Sequence, residues 1–172
     1  MPERPEPDLD AVRSELRAHD RDAQRASSGV SELADGVSVA QLELDGEERF
    51  QLLRRELGVS AFGLNLLRFQ PGERSRIHRH ERQEEVYLVL EGTLTLDIEG
   101  SETHELGPGG IARVAPAVRR QLTNRGGSLL AVLAIGGADQ HEGRDGHAFR
   151  SWEDQEGASP REIPFPEPVE HA

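Results

Sequence analysis

The sequence contains no cysteine and no lysine, and only one tryptophan, one tyrosine and one methionine. Without cysteine there is neither a disulfide framework nor a thiolate metal ligand. Apolar residues make up 35% of the chain, which leaves room for a compact centre flanked by polar segments. No apolar run reaches transmembrane length, and the opening "MPERPEPDLD" lacks the basic and apolar regions of a signal peptide. Cations are outnumbered: the formal net charge is −12 over 172 residues. That balance argues against nucleic acid and anionic membrane as partners. The expected setting is cytoplasmic and soluble.

What the chain does contain falls into three zones. Residues 1–35 form a charged extension in which Leu9, Val12 and Leu16 recur at helical spacing after a possible cap at Asp8. Residues 36–136 carry short apolar or alternating runs, among them "GVSVAQLEL", "FGLNLLRFQ", "EVYLVLEG", "TLTLDIEG", "GIARVAP" and "LLAVLAIGG". Turn-forming "QPGE", "EGSE", "GPGG" and "NRGG" separate them, a rhythm that predicts antiparallel hairpins in an all-β sandwich or barrel. The stretch "RFQLLRREL" at 49–57 suits either a strand or a helical turn. Residues 137–172 are a polar tail expected to pack on the barrel through Phe149, Trp152 and Phe165.

One strand pattern carries chemistry. In "RIHRHERQEEVYLVLEG" (76–92), strand alternation puts His78 and His80 on one face and a carboxylate follows at Glu85. Two imidazoles and a carboxylate are a usable ligand set for a divalent metal. Tyr87 shares the Glu85 face, and alternation turns the rival Glu84 away. Val86, Leu88 and Leu90 occupy the opposite face, so both faces of this strand need cover. A sheet-mediated homodimer would cover the outer one.

Gly72, His78, His80, Glu85 and Gly92, with their spacings, resemble the first motif of the cupin superfamily. The resemblance implies an antiparallel jelly-roll (double-stranded β-helix) barrel at 36–136 in which His78, His80 and Glu85 hold one divalent Fe, Mn, Ni, Cu or Zn. It also implies a second motif, for which "GGIARVAPAVRRQLTN" stands from Gly109 to Asn124. Here Ala115 and Ala117 replace the motif's proline and glycine, and Arg120 replaces the histidine that would be the fourth ligand. A register with one deletion places Gln121 there instead. Arginine has no lone pair to donate, so Arg120 cannot ligate a metal.

Two classes of function follow. In one, the chain is a small-molecule-binding cupin with a partial or metal-free His/His/Glu site, in which Arg120 and Tyr87 meet a small anionic organic molecule. In the other it is an enzyme, a metal-dependent oxidoreductase of dioxygenase type acting on a small organic acid. Arg120, sharing a face with Val118 and Leu122, is expected inside the barrel, with Glu85 as its counter-charge where no metal holds that carboxylate. Arg74, Arg76, Arg79 and Arg82 read as a solvated face paired with local glutamates. His141, Asp145 and His147 read as a glycine-rich surface loop. His19, His104 and His171 carry no argument.

Overall fold

A computed structural model describes residues 29–137 and 145–170 of the chain. The expected helix over Leu9–Leu16 lies outside the described residues, as do His19, His141 and His171. β1 (Val30–Ala34) and β2 (Val37–Ala40) form a two-stranded antiparallel ladder of their own, so a strand occupies the end of the segment read as a charged extension. The ambiguous stretch at 49–57 divides between its two readings, with β3 at Phe50–Gln51 and the helical turn α1 at Leu53–Glu56.

Nine further strands follow among the described residues. They are β4 (Gly63–Phe69), β5 (Ile77–His80), β6 (Glu84–Glu91), β7 (Leu94–Ile98) and β8 (His104–Leu106). After them come β9 (Ile111–Val114), β10 (Arg120–Thr123), β11 (Leu130–Gly137) and β12 (Gly146–Phe149). Every pairing is antiparallel. One sheet runs β3-β4-β11-β6-β9 and the other β12-β5-β10-β7-β8, the two halves of a jelly roll.

Alternation along these strands makes the core. Tyr87 and Val89 of β6, Val132 and Ala134 of β11, and Phe69 of β4 belong to one buried cluster with Leu94 and Leu96 of β7 and Leu122 of β10. Each such large side chain fully removed from water contributes about 1.5–3 kcal/mol. The turn from β6 to β7 needs glycine at 92: its φ is 74°, and a Cβ there would collide with the Leu129 carbonyl. The other motif glycine, Gly72, has φ 81° and lies against the Val169 carbonyl in the same way.

On the outer face of the first sheet, Val86, Leu88 and Leu90 are half-buried. Ile135 and Leu133 stand opposite Val86 and Leu88 on one side, and Ile111, 63% exposed, opposite Leu88 on the other. The same sheet carries Arg68, a buried guanidinium that donates to the Glu43 and Glu48 carbonyls and to Gln51 Oε1, binding the 43–51 loop to β4.

The tail is more ordered than a polar appendage. Its β12 is an edge strand paired with β5, and Phe149 at its end is buried. Residues 163–169 form a strap along the chain that leads into β5. Arg74 Nε donates to the Glu167 carbonyl at 2.9 Å, Arg76 Nε to that of Ile163, and the Val169 amide to that of Gly72 at 2.9 Å. Phe165 packs against two guanidinium groups, those of Arg76 and Arg49, 3.7 and 4.3 Å from its ring centre. Arg74 and Arg76 therefore bind backbone carbonyls, not the neighbouring glutamates the sequence suggested.

Candidate functional site

Three strands supply the side chains at the centre of the barrel. β5 carries His78 and His80, β6 carries Glu85 and Tyr87, and β10 carries Arg120, which stands directly opposite His78 in the β10–β5 ladder. β6 belongs to the first sheet and the other two to the second, so the five side chains meet between the sheets. Alternation explains their direction, because Val118 and Leu122 flank Arg120 on the same face and both join the core.

Arg120 has no exposed surface. Its Nη2 donates to Glu85 Oε2 at 2.5 Å, its Nε to the Tyr87 hydroxyl at 3.2 Å and its Nη1 to the Val118 carbonyl at 3.1 Å. Tyr87, itself buried, donates its hydroxyl to the same Glu85 oxygen. Burial opposes the Arg120 charge, but the Tyr87 and Glu85 oxygens outweigh it and raise its pKa above the ordinary guanidinium value. Burial would likewise lift the Glu85 carboxyl; the adjoining His78 and His80 rings and the charge of Arg120 hold it well below the usual carboxylate range. The Tyr87 phenol is pushed well up, by burial first and by the Glu85 charge second.

His78 Nδ1 lies 2.9 Å from the Arg76 carbonyl, so that nitrogen carries the proton and Nε2 presents a lone pair to the site. Burial lowers the His78 pKa; the Glu85 carboxylate beside it works against this, and the Arg120 charge adds to it. A lone pair aimed at a carboxylate oxygen calls for a cation between them. His78 Nε2 and His80 Nε2 lie 3.6 and 3.3 Å from Glu85 Oε2, and the three ligand atoms all fall within 4.8 Å of one another. Ligands bound at about 2.0–2.2 Å to one ion are separated by about 3.0–3.5 Å, so the set fits a divalent metal once Arg120 releases Glu85. Two neutral imidazoles and a carboxylate are also the donor types that iron, manganese and zinc accept.

Two residues that the sequence reading did not place in the site support His80. Gln83 Nε2 lies 3.1 Å from His80 Nδ1, while its Oε1 is buried without a partner. Turning that amide over lets Oε1 accept from His80 Nδ1–H and frees His80 Nε2 as a ligand. Asp145 is buried, not part of an exposed loop. Its carboxylate accepts from the Arg82 and Gln83 amides at 3.2 and 2.8 Å and stands 3.7 Å from His80 Nδ1. His147 turns instead to Glu81, at 2.8 Å, and takes no part in the site. Gln83 shares its strand face with Glu85 and Tyr87, which was a readable signal. Asp145 comes from some sixty residues away and had none.

The paired antiparallel sheets, with a His/His/Glu cluster held between them, define a barrel of the cupin type. Residues 65–136 match the Cupin domain family. Several solved structures are similar to the chain. A sugar phosphate isomerase of the cupin superfamily from Silicibacter pomeroyi is 26% identical, with a TM-score of 0.53 over 68% of this chain and 79% of that one. A cupin protein from Bacteroides fragilis is 24% identical, with a TM-score of 0.49 over 57% of this chain and 83% of that one. A Cupin 2 conserved barrel domain protein from Salinispora arenicola is also 24% identical, with a TM-score of 0.47 over 56% and 81%. No curated protein matches the chain.

Proposed function

We propose that this chain is a cytoplasmic small-molecule-binding cupin whose barrel takes an anionic organic ligand. In this reading His78, His80 and Glu85 hold a divalent metal, and Arg120 with Tyr87 meets the anion. The observation that carries the reading is the wholly buried Arg120 guanidinium, bonded to the one carboxylate a metal would need. Glu85 Oε2 cannot serve a metal and Arg120 equally well. When Glu85 ligates, Arg120 keeps Tyr87 and the Val118 carbonyl and gains a free edge. A planar fork of donors beside a metal suits a carboxylate or phosphate, which would also neutralise the cation left behind. The metal would supply Lewis acidity toward an oxygen of that ligand. The name of the Silicibacter pomeroyi relative, a sugar phosphate isomerase, is compatible with an anionic ligand in such a barrel. A dioxygenase would use the same three metal ligands; the fixed cation at Arg120 weighs toward binding.

Metal titration calorimetry tests this on protein stripped with a chelator. Arg120→His removes the competing cation and adds an imidazole at the fourth position. Mn, Ni and Zn are expected to bind that variant at least about tenfold more tightly than wild type, because the ion pair no longer has to be broken. Equal affinity in the two proteins would refute the reading.

The assembly proposed with it is a homodimer through the outer face of the first sheet. Val86, Leu88, Leu90, Leu133, Ile135 and the exposed Ile111 form an apolar surface there that a second sheet would cover. Light scattering at micromolar concentration is expected to give the dimer mass, and Ile111→Glu to lower it toward the monomer.

A further inference from the structure

We propose that the outer face of the second sheet carries a separate binding site for a small aromatic carboxylate, formed by Arg74, Arg76 and Arg150 beside Trp152. It is distinct from the barrel site. Alternation turns Ile77, Gln121 and Phe149 away from His78 and Arg120, and these three outward residues line a cavity of about 430 Å³ beneath the strap. Ile163, Pro164 and Pro166 of the strap complete its apolar wall. A second cavity of about 380 Å³ adjoins it and shares Arg74, Gln121 and Trp152. The larger volume lies within the usual range of small-molecule pockets, roughly 300–1,000 Å³.

Charge identifies one end of the ligand. Three guanidinium groups reach this cavity in a chain whose net charge is −12. Arg74 and Arg76 each use Nε on a strap carbonyl, and among the described residues neither has a carboxylate partner. Their terminal nitrogens remain as a fork of charged donors. Glu153 lines this cavity, Asp97 and Glu99 line the adjoining one, and Asp154 lies within electrostatic reach of Arg150. Glu153 is engaged by the Ser151 side chain, and Asp154 accepts the amides of Arg150, Glu156 and Gly157. Arg76 is also desolvated and repelled by Arg49, which lowers its pKa and adds to the gain from a neutralising anion.

The walls identify the other end. Inorganic phosphate alone would satisfy the arginines and leave the apolar lining uncovered. A flat ring would lie along Ile77, Phe149 and the prolines with an edge toward Trp152, while its carboxylate took the guanidinium fork in the bidentate manner that arginine favours.

The chain reports on its own site, because Trp152 is the sole tryptophan. Full-length protein held in chelator would be titrated with benzoate, with its neutral isostere benzamide, and with inorganic phosphate, following tryptophan emission and confirming by calorimetry. Benzoate is expected to give a saturable change, with benzamide and phosphate at least about tenfold weaker, since each lacks one half of the recognition. Arg150→Ala removes an exposed side chain and is expected to weaken benzoate about tenfold with an unchanged circular dichroism spectrum. An unchanged benzoate affinity in Arg150→Ala, or in Arg74→Gln/Arg150→Ala, would overturn the assignment of the arginines. A response to phosphate or benzamide equal to that of benzoate, or none to benzoate, would overturn the ligand class.

Discussion

Glu85→Gln in metal-free protein is expected to destabilise the barrel more than Arg120→Met, although each change removes half of one ion pair. The asymmetry comes from what each partner can do alone. Arg120 is fully buried and cannot shed its proton, so a neutral amide at position 85 leaves a permanent cation inside the core. Breaking a buried pair in that sense costs about 3–5 kcal/mol. Glu85 keeps 16% of its side-chain surface, retains the Tyr87 hydroxyl, and lies beside the His78 and His80 rings. Methionine fills much of the volume of the arginine stem, so Arg120→Met is expected to cost only about 1–3 kcal/mol. The double variant removes both charges and is expected to be more stable than Glu85→Gln alone. Urea unfolding midpoints at neutral pH, measured in chelator with equal m-values, give all four corners of the cycle. If Arg120→Met proves the more damaging change, or if the two losses simply add, the buried pair is not what Arg120 contributes.

Arg68→Ala removes the guanidinium that joins three residues of the 43–51 loop to β4 and leaves the Glu43 and Glu48 carbonyls short of a donor; a loss of about 2–4 kcal/mol in urea unfolding is expected. Asp145→Asn keeps the shape of the cap over the Arg82 and Gln83 amides but removes its charge beside His80; zinc affinity by calorimetry is expected to fall about tenfold or more, as when other outer partners of ligating histidines are lost. Asn124→Ala abolishes two donations, to the Phe69 and Ser128 carbonyls, and one acceptance from Gly126, and is expected to cost about 2–3 kcal/mol by the same unfolding assay.

Much of the barrel was legible because its strands alternate. "TLTLDIEG" and "EVYLVLEG" announced β7 and β6, and the two-residue step from His78 to His80 was enough to put both rings on one side of β5. Arg120 was legible for a related reason: Val118 and Leu122 on either side fixed which way it faced, and Glu85 was the nearest charge able to meet it. What stayed hidden depended on distance along the chain. β8, three residues of "HEL" with two of them exposed, carries no apolar pattern of its own and exists because β7 offers it a partner. β12 follows a polar stretch and is recruited by the free edge of β5. The arginines at 74 and 76 have glutamates as neighbours in sequence, yet the groups they bind lie about ninety residues further on and are carbonyls, which no composition reveals.

That separation also sets an order of events. The latches from Arg74 to Glu167 and from Arg76 to Ile163 close loops of 93 and 87 residues, whereas the ladder between β7 and β8 closes across a single turn. Contacts of such long range come late, because the chain must first lose the entropy of closing the loop. During synthesis the guanidinium groups of residues 74 and 76 emerge well before the carbonyls that will receive them, and the barrel strands up to β11 can assemble in the interval. The same latches are then the first to open when the native protein fluctuates. Amide exchange is therefore expected to be fast at Val169, whose proton is held by Gly72 alone, and slow at Leu133, deep in the ladder of β11. The barrel would thus breathe from its strap inward, with the strap acting as a clasp fastened last and undone first.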